Sequence, residues 1–187
     1  TAKNKAKGRS IIFIGNHSED GNLEYSEKKN FSIPLNFPSF VLNKYTIKIL
    51  SKIYYHFHKH NKKFKQNLDN FFYPLDNISN WNHLYGKNGF VQIQVLIEEN
   101  NPEILLYKIL NFFQEKEQYS CLCVMKEFAP GNTNYLSFPN KGYTFVIDLK
   151  ITKKINEIYR EFEDLLKNYK TKIYLTKDSF MSEQYFK

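Results

Sequence analysis

The sequence predicts an α+β fold, an antiparallel sheet with two helices on one face, from the order in which its periodic segments fall. Residues 90–97 alternate strictly: Val91, Ile93, Val95 and Ile97 point one way, and Phe90, Gln92, Gln94 and Leu96 the other, the two-residue period of a strand. Two stretches, 101–118 and 152–169, repeat apolar residues at three and four, the signature of amphipathic helices. Strand-like segments at 121–128, 143–150 and 172–176 complete a β-α-β-β-α-β order, the ferredoxin-like or split βαβ arrangement.

Each element has its own reason. Asn101-Pro102-Glu103 starts a helix, with Asn as N-cap, Pro in the first turn and an acid against the dipole. That helix carries Leu105, Ile109, Phe112 and Phe113 on one side, to about Gln118. A loop with Pro130-Gly131-Asn132 and Phe138-Pro139 separates the strands Cys121–Phe128 and Tyr143–Lys150. Thr152 is expected to cap the second helix, on which Ile155, Ile158, Tyr159, Phe162, Leu165, Leu166 and Tyr169 recur. Lys172–Thr176 forms the last strand. Upstream, Ser10–Ile14 reads as a strand and Val41–Phe57 as an amphipathic helix, with Leu42, Ile49, Leu50, Ile53 and Phe57 opposite Lys44, Lys48 and Lys52. Asn67–Gly89 reads as a loop, rich in Asn, Pro and Gly, yet it holds Phe71, Phe72, Tyr73, Trp81 and Tyr85. Such aromatic loops serve as covers or lids. The expected organisation is an N-terminal part, 1–89, and a β-α-β-β-α-β part, 90–187.

The alternation assigns faces. Val91, Ile93, Val95, Ile97, Cys121, Cys123, Met125, Phe145, Ile147 and Leu149 face the helices, with the two cysteines as reduced core residues. The opposite face mixes Gln92, Gln94, Lys126, Thr144 and Asp148 with Phe90, Leu96, Leu122, Val124, Phe128 and Val146. A solvated face would not hold that many large apolar groups. A closed core would not hold a lysine and two glutamines, because a buried unpaired polar group costs on the order of 1–3 kcal/mol. A surface covered by another domain or by a ligand suits the mixture.

Composition narrows the classes. The 187 residues carry a net charge of +8, from 25 Lys and only 2 Arg among the bases, alongside 21 Asn, 17 Phe and 14 Tyr. Lys, Asn, Phe and Tyr rise together, as AT-rich coding imposes, and the scarcity of arginine forks argues against nucleic acid as a partner. The excess is local: seven lysines (44, 48, 52, 59, 62, 63 and 65) and no acid lie between Val41 and Asn67. That helix suits anionic lipid or a phosphate headgroup, against the plainer reading of a solvated lysine face. No apolar run approaches the ~20 residues of a membrane span, and Ile11–Ile14 is too short for a signal-peptide core. Beginning at Thr1 rather than Met, the chain reads as a piece of a longer protein.

Short motifs add little. His56, His58 and His60 lack the nearby Cys, Asp or Glu of a transition-metal shell, so no metal is expected. There is no Gly-rich phosphate loop, nucleophile elbow or H-E-x-x-H. Lys177-Asp178-Ser179 follows the last strand, where a side chain reaches the rim of the mixed face.

Three segments carry a resemblance: FFYPLDNISNWNHLYGKNGFVQIQVLI (71–97), VMKEFAPGNTNYLSFPNKGYTFVIDL (124–149) and KIYLTKDSFMS (172–182). With residues 8–13, 37–46 and 66–76 they are similar, in order and with compatible gaps, to decaprenylphosphoryl-ribose 2-oxidases, flavoenzymes of the vanillyl-alcohol-oxidase superfamily. The resemblance implies the substrate, or cap, domain of an FAD-dependent oxidoreductase, with FAD bound mainly by a domain that this sequence does not include. It implies hydride transfer from a secondary alcohol of a sugar or polyprenyl-phosphate sugar, and a fragment inactive by itself. Gln92 and Gln94 would look into the substrate and flavin cavity, Lys126, Asn132, Phe72, Thr144 and Val146 would line the substrate site, and Lys177, with Gln94, would contact flavin. Lys177 would be the catalytic contact. Val146 stands where mycobacterial members carry a cysteine, and Phe72 where they carry a tyrosine; the His-Trp-x-Lys motif of aldonolactone oxidases is missing. The resemblance further implies a sugar or glycolipid-phosphate substrate, a short-chain dehydrogenase acting on the keto product, and a cytoplasmic location that admits peripheral membrane contact. The competing class is a non-catalytic interaction module whose sheet face docks a partner chain.

Overall fold

A computed structural model describes residues 11–21, 31–38, 40–59, 63–73, 78–98 and 100–187. The chain divides into two compact units, residues 1–87 and 88–187.

In the first unit, β1 (Phe31–Ser32) pairs in parallel with β2 (Ile78–Ser79), between which α1 (Lys44–His58) and α2 (Leu68–Phe72) intervene. Asn43 caps α1 as an Asn cap should: its side chain accepts from the Tyr45 and Thr46 amides at 2.8 and 3.2 Å, and Thr46 Oγ1 accepts from the Asn43 amide. The expected helix is therefore present, begun at its natural cap. The strand expected over Ser10–Ile14 is not: Ser10 lies outside the described residues, and Ile11–Ile14 form no strand, with Ile12 and Ile14 exposed. An apolar quartet extends into a strand only where a partner edge takes up its amides. The 67–89 segment is more ordered than a plain loop, since α2, β2 and a 3₁₀ turn over Trp81–Tyr85 lie within it; Pro74–Asn77 fall outside the described residues.

The second unit carries the β-α-β-β-α-β order: β3 (Phe90–Ile97), α3 (Pro102–Glu115), β4 (Cys123–Phe128), β5 (Gly142–Lys150), α4 (Ile155–Leu166) and β6 (Thr171–Ile173), followed by the short α5 (Glu183–Phe186). The sheet runs β4-β5-β3-β6 and every pairing is antiparallel. The fold is α+β, as the periodicity predicts. One contiguous core joins Val91, Ile93, Val95 and Ile97 of β3 to Leu105, Ile109 and Phe113 of α3 and to Ile158, Phe162 and Leu166 of α4. Both helices therefore cover the same side of the sheet.

Four local expectations are corrected. Cys123 and Met125 do point to the helix side, opposite Ile147 and Phe145, but β4 is the edge strand, and no β4 residue belongs to the core. Both are exposed, as is Cys121 before the strand, and the cysteines remain reduced. Thr152 does not cap α4; its carbonyl accepts the Ile155 amide at 3.1 Å in a turn that sets Lys154 at the cap position. Asn101 makes no side-chain cap bond, although Pro102 occupies the first turn. The last strand ends at Ile173, because Leu175–Lys177 coil into a 3₁₀ turn, with Lys177 N–H donating to the Tyr174 carbonyl at 3.0 Å.

Candidate functional site

The strand register builds the face turned away from the helices. Gln94 pairs with Val146, which pairs with Val124; one step along, Leu96 pairs with Thr144, which pairs with Lys126; one step back, Gln92 pairs with Asp148. Gln92, Gln94, Lys126, Thr144 and Val146, each expected at the site, thus share one face within two rungs of one another. On β6, Lys172 opposes Leu96, placing a second lysine at the other end of the Lys126–Thr144–Leu96 rung.

Polar groups on this face pair across the strands. Gln92 Nε2 donates to Asp148 Oδ1 at 2.6 Å, and Gln94 Nε2 donates to Thr144 Oγ1 at 3.0 Å. Gln94, Thr144, Val146, Asp148 and Leu96 are all buried, so the face is covered rather than solvated. Cross-strand pairing is what permits two amides in that setting, since each replaces the water it gave up. Lys126 is exposed on the edge strand.

Lys177 sits where the chain leaves the sheet. The Tyr174 amide donates to the Gln94 carbonyl at 2.9 Å, continuing the register past Ile173, and the 3₁₀ turn ends at the half-buried Lys177. The next residue fixes that turn. The Asp178 carboxylate accepts from the Tyr159 hydroxyl of α4 and from the Phe180 and Met181 amides at 3.3 and 3.1 Å. Burial pushes the Tyr159 hydroxyl far above its ordinary pKa, and its bond to Asp178 pushes the same way, so it is a permanent donor. Glu163, also on α4, accepts from Ser182 N–H and Oγ at 2.6 and 2.8 Å and from Arg160. Helix α4 therefore holds the chain directly after Lys177, through Asp178 and Ser182. Sequence reasoning missed both anchors. An acid directly after Lys177 is the available sign for one, whereas Glu163 sits among other charged residues of the helix and gives no such sign.

Asn132 lies apart, on the β4–β5 loop, where its side chain accepts from the Asn134 amide at 3.0 Å. That loop and β6 bound a cleft of about 870 Å³, also lined by Tyr174 and Tyr185. Phe138 stacks on Tyr174 with centroids 4.6 Å apart and meets Phe128 edge-on at 6.0 Å, closing the loop over the strand ends. Gly131 is required there, because a Cβ would lie 2.0 Å from the Pro139 carbonyl oxygen. Of the expected site residues only Asn132 lines this cleft. Phe72 is exposed on α2 of the first unit.

The chain is 30% identical over 164 residues to the decaprenylphosphoryl-beta-D-ribose oxidase of Mycolicibacterium smegmatis, an alignment that takes in 88% of this chain and 35% of that protein. The chain resembles part of an oxidase. No family model matches it. It spans about a third of the length of this curated relative, and the similarity runs along both of its own units, not one motif. What the second unit offers on this sheet face is the part-exposed Gln92 amide and the exposed Lys126 and Lys172, groups that fit the polar edge of a flavin ring and sugar hydroxyls, while Gln94 and Thr144 are buried. Among the described residues no helix is long and apolar enough to cross a membrane.

Proposed function

We propose that this chain is the substrate-facing cap portion of an FAD-dependent oxidoreductase, and that it presents a sugar or polyprenyl-phosphate sugar to the flavin for oxidation at a secondary alcohol. The observation that carries the reading is the convergence of two independent lines. The strand register alone puts Gln92, Gln94, Thr144, Val146 and Lys126 on one face. The oxidase similarity runs over the same segments.

Bound flavin would supply the two-electron acceptor for the carbinol hydrogen. The chain's own residues do the rest. Gln94 and Thr144, buried and locked to each other, form a rigid support under the face, so that its orientation costs nothing to fix at the moment of binding. Lys126 and Lys177 supply positive charge suited to a phosphate-bearing substrate. Lys177 additionally suits the pyrimidine edge of the flavin, where a fixed cation stabilises negative charge as it develops, the logic of an oxyanion site. Asn132 closes the substrate side from the loop; Phe72 belongs to the first unit and has no hydroxyl to donate. Val146 offers no thiol, so inhibitors that act by attacking a cysteine at this position should not label the protein.

The test is anaerobic bleaching of the flavin absorbance of the full-length protein by a panel of free sugars and polyprenyl-phosphate sugars. Bleaching by one of them with recovery of the keto-sugar supports the reading. A full-length protein that retains no flavin overturns it in favour of an interaction module.

A further inference from the structure

Helix α1 is an amphipathic element whose apolar side is exposed. Fifteen residues long, it contains no buried side chain, and Ile49, Leu50, Ile53 and Phe57 are 57%, 57%, 48% and 75% exposed. Steps of 100° per residue put these four on one side of the helix and Lys44, Lys48 and Lys52 on the other. Four exposed large side chains side by side are not the scattered apolar residues that any surface carries.

The charge around the helix states what covers it. No acid occurs between Val41 and Asn67, while seven lysines do, and His56 and His58 fill the last turn of the helix. Lys65 is tied to Asp20 at 2.8 Å; Lys48 and Lys52 are exposed. An occupant must therefore offer hydrocarbon and negative charge in the same plane. A bilayer with anionic headgroups does so. At about 1.5 Å per residue the helix is also too short to cross a hydrocarbon core of roughly 30 Å, so it would lie on the bilayer and not span it.

We propose that α1 is a membrane-surface helix, with Ile49, Leu50, Ile53 and Phe57 in the acyl boundary of an anionic bilayer and Lys44, Lys48 and Lys52 among its headgroups. The proposal does not depend on the oxidase reading, and its test reads partitioning, not redox chemistry.

The experiment is cosedimentation of the full-length protein with phosphatidylcholine vesicles, with and without phosphatidylglycerol. Partitioning should be at least roughly tenfold stronger on the anionic vesicles and should weaken with added salt. The Ile53→Asn/Phe57→Asn double variant should lose roughly tenfold or more of that partitioning. The Lys48→Ala/Lys52→Ala double variant should lose on the order of twentyfold, with a flatter salt dependence. All four positions are exposed, so both variants should keep the wild-type far-ultraviolet spectrum. Equal partitioning on neutral and anionic vesicles, absence of vesicle binding by the full-length protein because another protein surface covers α1, or wild-type partitioning by either folded variant would overturn the proposal.

Discussion

Glu163 is nearly free of solvent, on α4, and it is fully used: two bonds from Ser182 and two from the Arg160 guanidinium at 3.0 and 2.9 Å. Removing the charge while keeping the shape isolates the charge-assisted share of that network. Glu163→Gln should lower the unfolding free energy by about 2–3 kcal/mol in a urea titration, and a loss under about 0.5 kcal/mol would show that the network is ornamental. The cysteines give a second test at this scale. Both residues keep exposed surface, yet the protein packed around each sulfur, with the Asp148 carboxylate acting the same way, pushes the thiols of Cys121 and Cys123 up to about 11. A raised thiol pKa means less thiolate at a given pH. Iodoacetamide should therefore alkylate both roughly a hundredfold more slowly at pH 8 than an ordinary thiol, with the rate still climbing beyond pH 10. A rate that levels off near pH 9 would contradict that environment. Sequence reading placed these cysteines in the core because they alternate with the strand. What it had no access to was that β4 lies at the sheet edge.

Among the elements, β3 was the most legible and β6 the least. Strand β3 is central, with β5 on one side and β6 on the other, so alternation and burial agree along its whole length. Strand β6 stops early because its end is set by a distant tie, the Tyr159 hydroxyl on Asp178, which no local pattern encodes. The α4 start shows the same limit: Thr152 is an excellent cap by type, yet the chain makes one more turn before the helix begins. Along α1 the apolar period was local and the helix formed, but it begins at the Asn43 cap and not at Val41. The start of β5 supplies a prediction about tertiary fit. Gly142, at φ 155°, opposes the end of β3 so closely that a Cβ would lie 2.3 Å from the Ile97 carbonyl oxygen. Gly142→Ala must push backbone against backbone. It should destabilise the fold by roughly 1–3 kcal/mol, read as a lower thermal midpoint, with the loss concentrated in amide protection at the Ile97–Tyr143 end of the β3–β5 pair. A wild-type midpoint would mean that the strand ends separate freely.

For the whole molecule, the net charge of +8 is the property that changed meaning most. Much of it falls on α1 and the residues after it, the helix proposed to meet a bilayer, while the sheet face that bears the proposed chemistry holds only a few cations. The face itself was legible as a set of residues, because alternation alone collects Gln92, Gln94, Thr144 and Val146. How those residues are satisfied was not, since the Gln92–Asp148 and Gln94–Thr144 bonds depend on strand register. The account's central claim is that this face, with Lys177 at its rim, meets flavin and substrate together. Stopped-flow reduction of the full-length flavoprotein under anaerobic single-turnover conditions, with wild type and Lys177→Ala compared on the sugar that bleaches the flavin, tests it most directly. The account predicts a rate at least roughly tenfold lower in the variant, the scale of one lost charge-stabilising contact, with the flavin still bound. An unchanged rate would contradict it and remove Lys177 from the site.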